Sequence, residues 1–156
     1  MKNKRLTFMS KIEEELFEIE TLVLRTLKAW ESAERTSDDL YLDSVALNLH
    51  GIHSGIEKIF ELIAKDIDSS VPSGDSWHIE LLKQMATEIK QVRPAIISKQ
   101  TFELLNEYRG FRHIVRNVYT YNISIKKLAP LVGELPNTFD CVKGDLDDFL
   151  TLIANW

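Results

Sequence analysis

Three arginines and a tyrosine share one face of a predicted helix in the last third of the chain. At about 100° per residue, Arg109, Arg116 and Tyr119 fall within about 60° of Arg112. Residues 108–133 contain no aspartate or glutamate, so nothing within this segment neutralises the arginines. Because arginine binds phosphate through parallel hydrogen bonds and tyrosine stacks on bases, this face is typical of phosphate or RNA binding. The alternative is that acidic side chains on neighbouring helices pair with the arginines.

Two more polar residues, His113 and Asn117, lie one turn apart on the flank of this face, at about 100° and 140° from Arg112. Both side chains can form hydrogen bonds with RNA. Since Asn117 and Arg112 are about 140° apart, a cleft on one chain would gather them poorly. Two copies of the helix crossing at a symmetric interface would bring the two sets together.

Other kinds of active site lack their characteristic residues. The sequence has no glycine-rich phosphate loop, no Cys-x-x-Cys, no His-Glu-x-x-His and no Glu-x-x-His pair of a di-iron bundle. His50 and His53 lie one turn apart without an evident third ligand, which favours surface or hydrogen-bonded histidines over a metal site. We therefore expect neither a metal nor a cofactor.

Charge is distributed unevenly along the chain. The whole chain carries −5 at pH 7. The acid-free segment carries +5 and the remainder −10, the positive charges being those of Arg109, Arg112, Arg116, Lys126 and Lys127. The pattern indicates a basic patch on an acidic body.

The length of 156 residues, with 44% hydrophobic and 28% charged residues, predicts one globular domain. We expect a short tail over residues 1–9 and a single helical domain over residues 10–156. No apolar run is long enough for a transmembrane helix, and charged residues interrupt the N-terminal segment before a signal peptide could form. The single cysteine, Cys141, is typical of a reducing compartment, so the expected location is the cytoplasm.

Apolar residues spaced by three and four predict an all-α fold, a bundle of four or five helices. The first predicted helix covers residues 10–35, with Ser10 as its N-cap and Glu13 completing a capping box. The second begins near Leu40 and contains two glycines one turn apart, Gly51 and Gly55. Each glycine costs about 1 kcal/mol in a helix interior, so the pair predicts a close approach of another helix.

Proline, serine and glycine separate the remaining predicted elements. These elements are a loop over 69–75, helices over 76–92 and 99–121, and a last helix that opens at Ile123-Ser124 and reaches the end, with a break around 133–137. Arg93-Pro94 would end the third helix, because the residue before proline is disfavoured in helical conformation. Ser98 would cap the fourth helix, and Trp77 would anchor the third helix to the core.

The segment Arg112-His-Ile-Val-Arg-Asn-Val-Tyr119 resembles the Arg-x4-His-x-Tyr signature of HepT toxins. These toxins belong to the HEPN superfamily of small all-helical proteins and are encoded beside a nucleotidyltransferase antitoxin, MntA. Further blocks that resemble the HepT-like domain follow in its usual order, at residues 49–60, residues 76–82 and Arg93-Pro94. Together the blocks span about residues 10–150 of this chain.

The resemblance implies a homodimer in which the motif helices meet at a cleft that cuts RNA without a metal, with tRNA as the expected substrate. Arg112, at the position of the motif arginine, would hold the scissile phosphate and stabilise its developing negative charge. Arg109 and Arg116 would bind RNA beside it. Tyr119, at the position of the motif tyrosine, would be AMPylated by the antitoxin, and the added group would block the cleft.

One residue departs from the signature, since Asn117 stands where the family has histidine. Asparagine binds phosphate or a 2′-hydroxyl but does not transfer a proton near neutral pH. Three explanations stay open: His113 takes over the histidine role, Asn117 suffices because catalysis is mainly positioning and electrostatics, or the chain is weakly active or inactive. The alternative functions are an inactive HEPN module that binds RNA or nucleotide or serves as scaffold for a nucleotidyltransferase, and a helical dimerisation protein with salt-bridged arginines.

Overall fold

The computed structural model describes the backbone of residues 1–117 and 124–156, and their side chains apart from those of residues 113–117. This part of the chain forms five helices: α1 (Lys2–Thr36), α2 (Leu40–Asp66), α3 (Trp77–Met85), α4 (Lys99–Asn117) and α5 (Ile125–Ala154). Within the same residues there is no strand beyond an isolated bridge between Ile89 and Arg93. The predicted all-α fold is confirmed.

A helical hairpin of α1 and α2 forms one side of the bundle. The two helices are joined by residues 37–39, where Ser37 ends α1 with a left-handed φ of 56°. A Cβ atom on Gly55 would lie 2.8 Å from Cγ1 of Ile19, and one on Gly51 would lie 3.2 Å from Cδ1 of Leu22. The predicted close approach at these glycines is confirmed, because only a hydrogen allows α1 to lie this near to α2.

The other side of the bundle is built by α5, which packs on α1 and α4, while α4 also packs on α2 and α3. The apolar side chains enclosed between these helices form one core. Ile12, Ile63, Leu128 and Leu146 have no exposed surface, and they come from α1, α2 and α5. Among the described helices, none combines the length and the apolar character needed to cross a membrane.

The first helix begins earlier than the capping pattern predicts. It starts at Lys2, so residues 2–9, predicted as a tail, form its first turns. Phe8 is buried against the core, and the guanidinium of Arg5 donates to the carbonyl of Trp156 at the end of the chain. Ser10 lies inside the helix and its hydroxyl donates to the carboxylate of Glu14, so the predicted N-cap is wrong. Contacts with the C-terminal helix decide this boundary, and a local capping pattern does not contain them.

The third helix ends at Met85, seven residues before the predicted end at Val92. The segment that follows folds around Arg93, whose side chain is fully buried and donates to both carboxylate oxygens of Asp68 at 2.6 and 2.7 Å. Arg93 also donates to the carbonyls of Thr87, Pro94 and Gln84. A continued helix would keep its own carbonyls bonded along the helix axis, so this buried ion pair explains the early end.

Proline does not interrupt the last helix, although a break was predicted near residues 133–137. Pro130 and Pro136 both lie inside α5, which continues to Ala154. Each interior proline costs about 3 kcal/mol, yet one apolar stripe of α5 stays buried along its whole length. Its buried residues are Leu128, Val132, Leu135, Thr138, Phe139, Val142, Leu146, Phe149, Leu150 and Ile153.

The predicted starts of the last two helices are correct. Ser98 precedes α4, and its hydroxyl accepts the N–H of Thr101 at 3.1 Å. Ser124 precedes α5, and its hydroxyl accepts the N–H of Lys127 at 3.3 Å. The predicted end of the fourth helix at Tyr121 lies outside the described residues.

Candidate functional site

The fourth helix presents one apolar and one polar side, as its periodicity predicts. Tyr108 and Phe111 are buried, and Leu105 is buried more deeply than the predicted Leu104. The hydroxyl of Tyr108 donates to the carbonyl of Leu131 at 2.6 Å. Burial and the charge of Glu134 raise the pKa of Tyr108 to about 12, so this tyrosine stays protonated at neutral pH. It therefore has a structural role between α4 and α5.

Arg112, which follows buried Phe111, is the first member of a polar chain that spans three helices. Its Nη1 lies 2.8 Å from Nε2 of His78, at the start of α3. The other ring nitrogen of His78, Nδ1, lies 2.5 Å from Oε2 of Glu57 in α2. The exposed fractions of these side chains are 19% for Arg112, 17% for His78 and 9% for Glu57. The chain thus runs from a buried carboxylate to a guanidinium at the protein surface.

The direction of each hydrogen bond in this chain follows from the donor groups. Arginine has only donors, so Nε2 of His78 must accept from Nη1 of Arg112. A neutral imidazole with an unprotonated Nε2 carries its proton on Nδ1, which then donates to Glu57. Glu57 therefore fixes the tautomer and orientation of His78, and His78 orients Arg112. The same carboxylate–imidazole arrangement orients the base in many hydrolases.

A second histidine, His53, lies beside Glu57 on α2. Its Nε2 is 3.5 Å from Oε2 of Glu57, and within the described part of the chain neither of its ring nitrogens has a well-formed hydrogen bond. Burial alone would raise the pKa of Glu57, but the neighbouring imidazoles of His53 and His78 hold it below the ordinary value of 4.5. Glu57 is therefore an ionised carboxylate at neutral pH.

Two arginines of this fold differ in how many of their donors the protein occupies. Arg93 is buried and makes five hydrogen bonds to Asp68 and to three carbonyls. Within the described residues Arg112 has one hydrogen bond, to His78, and its buried Nε has no hydrogen-bond partner there, lying 4.0 Å from Oε1 of Glu57. A guanidinium has five N–H donors, and because the Arg112 side chain is 19% exposed, an anion from solvent would have to bind on its exposed side. The alternative, that acids of neighbouring helices pair with the arginines, applies among the described side chains to Arg112, through Glu57 at 4.0 Å.

The structure describes fewer contacts for the other predicted site residues. Nε of Arg109 donates to Oδ1 of Asn106 at 2.9 Å, one turn earlier on α4. His113, Arg116 and Asn117 lie on α4, but their side chains are outside the described part of the structure, and Tyr119 lies outside it altogether. Of the two predicted site residues whose side chains the structure describes, Arg109 and Arg112, only Arg112 has a hydrogen bond to the polar chain.

Sequence reasoning did not find Glu57 or His78 as members of the site. Both come from helices other than the one that carries the motif, 55 and 34 residues before Arg112 in the sequence. One local signal was available, because His53 and Glu57 lie four residues apart, next to the buried stripe of α2. A carboxylate at such a position needs partners, and the fold supplies them from α3 and α4.

The space around this polar chain is small on its inner side. A cavity of about 10 Å³ lies between His53, Glu57, His78, Leu105 and Arg109. It is far smaller than a nucleotide, so a ligand of Arg112 must approach from the exposed side of the guanidinium. The geometry describes a surface site with a rigid support beneath it.

The chain was compared with known families and proteins. A family model described as HepT-like protein matches residues 44–153, more than half of the chain. The chain belongs to this family of HEPN-type proteins. The matched region of the HepT-like chain contains Glu57, His78 and Arg112 and includes all of α3 and α4. No curated protein and no solved structure matches the chain.

Proposed function

We propose that this HepT-like protein is the toxin of a toxin–antitoxin pair, a metal-independent endoribonuclease with tRNA as the expected substrate. The observation that carries the proposal is Arg112, a partly exposed guanidinium whose Nη1 is held by Nε2 of His78 at 2.8 Å. Family membership supports it, and so does the acid-free basic segment that surrounds Arg112 in the sequence.

In the proposed reaction, the ribose 2′-oxygen next to the scissile phosphate attacks the phosphorus. The P–O5′ bond breaks, and the products are a cyclic phosphate and a 5′-hydroxyl. Arg112 binds the non-bridging phosphate oxygens and stabilises the negative charge that develops on them. Arg109 and Arg116 bind neighbouring phosphates, and their positive charge attracts the RNA.

The proposed active form is a homodimer with the two copies of α4 at a shared cleft. Support comes from the spacing on this helix, where Asn117 lies about 140° around the axis from Arg112. One chain alone would present these residues to different directions, whereas a symmetric pair presents both sets to one substrate. Analytical ultracentrifugation should give a dimer mass, and a monomer that cleaves RNA would contradict this part of the proposal.

The proposed antitoxin is a nucleotidyltransferase of the MntA type that transfers AMP to Tyr119. Bulk and negative charge added beside Arg112 would exclude the phosphate of the substrate. Co-incubation with such an enzyme and ATP should add one AMP per chain, located by peptide mass spectrometry on Tyr119. An adduct on Tyr121 instead would contradict the alignment of the motif with this chain.

A second candidate function is a catalytically inactive HEPN module that binds RNA or nucleotide, or that acts as scaffold for the nucleotidyltransferase. The observation that favours it is Asn117, which replaces the proton-transferring histidine of the signature. This protein would bind tRNA in a salt-dependent manner and leave it intact.

The two functions are distinguished by incubating tRNA with the purified protein in excess EDTA, beside the Asn117→His variant. Cleavage by either protein supports the endoribonuclease. Salt-dependent binding with no cleavage by both proteins, after intact mass has excluded AMP on Tyr119, supports the inactive module. Cleavage that stops in EDTA would contradict the metal-independent mechanism.

A further inference from the structure

His78 combines three properties that a general base of the proposed reaction needs. Its Nδ1–H is bonded to the ionised Glu57, its Nε2 is an acceptor, and the side chain reaches the surface next to Arg112. An imidazole accepts and releases protons near neutral pH, whereas an amide does not. The proposed cleavage requires that a proton leave the attacking 2′-hydroxyl.

We propose that His78 is the general base of RNA cleavage, taking the proton of the 2′-hydroxyl on its Nε2 while Glu57 holds its Nδ1–H. This inference rests on the proposed endoribonuclease function and adds a fourth explanation for Asn117. The acid–base group then comes from α3 and not from the motif helix.

The short distance between His78 and Arg112 places the base next to the substrate. A phosphate bound by Arg112 carries its neighbouring 2′-oxygen within about 3–3.5 Å of the phosphorus in a reactive geometry. Nε2 of His78 lies 2.8 Å from Nη1 of Arg112, so a group bonded to that phosphate falls within reach of the imidazole. No other ring nitrogen of the described part of the chain is bonded to Arg112.

The hydrogen bond between Arg112 and His78 also explains how substrate would switch the base on. In the free protein Nη1 of Arg112 donates a hydrogen bond to Nε2 of His78, so this nitrogen has no lone pair available for a proton of the substrate. Phosphate oxygens are stronger acceptors for a guanidinium than a neutral imidazole is, because the bond then joins two opposite charges. As Arg112 turns its fork to the phosphate, Nε2 is released beside the 2′-hydroxyl.

The proton balance of the step is complete with these groups and water. The 2′-oxygen forms a bond to phosphorus as its proton moves to Nε2 of His78, and the P–O5′ bond breaks. The leaving 5′-oxygen takes a proton from water, and the resulting hydroxide takes the proton from His78. Between these events the imidazolium is stabilised by the carboxylate of Glu57, as in other carboxylate–imidazole pairs.

The charged and titratable groups around His78 come from two helices. Glu57 and His53 face it from α2, and Arg112 faces it from α4, with Arg109 on the same small cavity. Trp77 packs its ring on His78, with ring centroids 3.5 Å apart. Glu57 and Arg112 bind the two different nitrogens of the imidazole. The carboxylate therefore fixes the Nδ1–H donor, while substrate frees the Nε2 acceptor.

The test compares the unaltered protein with His78→Gln, His78→Ala and Asn117→His in cleavage of tRNA in excess EDTA. The amide oxygen of His78→Gln can still accept from Arg112, so a merely positioning role would be retained. We expect His78→Gln to cleave at least about 100-fold more slowly, while its tRNA affinity and thermal melting stay close to those of the unaltered protein. Added imidazole should restore part of the activity of His78→Ala.

Four other results of this cleavage assay would each contradict a specific part of the proposal. Full activity of His78→Gln would mean that His78 only positions Arg112. Cleavage by Asn117→His alone, with none by the unaltered protein, would show that His78 is not a sufficient base, while the proposed function stands. Loss of activity in His78→Gln without rescue of His78→Ala by imidazole would contradict proton transfer by this residue. If neither the unaltered protein nor Asn117→His cleaves tRNA, the proposed function itself is overturned, and this inference with it.

Discussion

Arg93 and Arg112 differ in burial and in the number of hydrogen bonds that the structure describes for them. Arg93 uses its donors within the fold, with five hydrogen bonds and a fully buried ion pair to Asp68. Arg112 is partly exposed and has one described hydrogen bond. From the sequence alone the two differ little, because the number of occupied donors is set by residues far away along the chain.

This contrast predicts opposite effects of the two alanine variants. Arg93→Ala leaves the carboxylate of Asp68 buried without its partner and should lower the free energy of unfolding by about 3–5 kcal/mol. Arg112→Ala removes one hydrogen bond near the surface and should cost about 1 kcal/mol or less. Urea unfolding followed by circular dichroism measures both, with exposed Arg25→Ala as control. An Arg112→Ala loss as large as that of Arg93→Ala would mean that Arg112 is a structural residue.

Glu57 gives the fold a dependence on pH with a defined sign. Its pKa in the folded protein lies below the ordinary value of 4.5, so the ionised carboxylate stabilises the fold above about pH 4.5. That stabilisation is lost as the pH falls through the folded-state pKa. Glu57→Gln should therefore be less stable than the unaltered protein at pH 7, by about 1–3 kcal/mol, and the difference should shrink on acidification.

Urea unfolding at neutral and at acid pH measures this effect, with Glu18→Gln on the exposed side of α1 as control. A stability difference between Glu57→Gln and the unaltered protein that stays constant on acidification would contradict the assigned role of the carboxylate. So would an equal pH dependence in the control variant.

The close contact between α1 and α2 requires a glycine at position 55, which has only a hydrogen atom where other residues have a side chain. Gly55→Ala places its Cβ 2.8 Å from Cγ1 of Ile19, a branched and buried side chain that cannot move away freely. We expect a loss of about 1–3 kcal/mol, since overpacking outweighs the better helix propensity of alanine. Thermal unfolding of the variant measures this loss.

Gly144 offers a matched control in α5, because it is exposed and a Cβ there would meet no described atom within 4 Å. Gly144→Ala should stabilise the protein by about 0.5–1 kcal/mol through helix propensity alone. Equal effects of the two substitutions would contradict the close packing of α1 on α2.

Local signals predicted those helix boundaries that local contacts determine. Ser98 was found because a capping hydroxyl bonds an N–H three residues later in the same helix. The start of α1, the end of α3 and the continuity of α5 through Pro136 were predicted wrongly. Each is decided by packing or by an ion pair between segments that are distant in sequence, and such contacts override propensity.

The candidate site was also predicted only in part, because some of its contacts join segments that are distant in sequence. The helical periodicity of one segment was enough to place Arg112 off the apolar stripe of α4. Glu57 and His78 escaped notice because their relation to Arg112 exists only after α2, α3 and α4 have packed together. A pattern on one helix can reveal a side chain's face, but not the partner that another helix brings to it.

Across the whole molecule, the charge distribution accords with the proposed binding of RNA on one side. The chain is acidic overall, at −5, while residues 108–133 carry +5. An RNA that approaches the basic segment releases counterions there, so the affinity for tRNA should fall steeply as salt is raised. Arg116→Ala should weaken this affinity and reduce its salt dependence, whereas the acidic remainder should repel RNA.

The most direct test of the central claim, that Arg112 holds the scissile phosphate, is the rate of tRNA cleavage in excess EDTA by Arg112→Ala. Arg25→Ala, an exposed arginine on α1, serves as the matched control. We predict a loss of at least about 100-fold for Arg112→Ala and an unchanged rate for Arg25→Ala, with both variants folded. A folded Arg112→Ala protein that cleaves tRNA at the unaltered rate would contradict the assignment of the site.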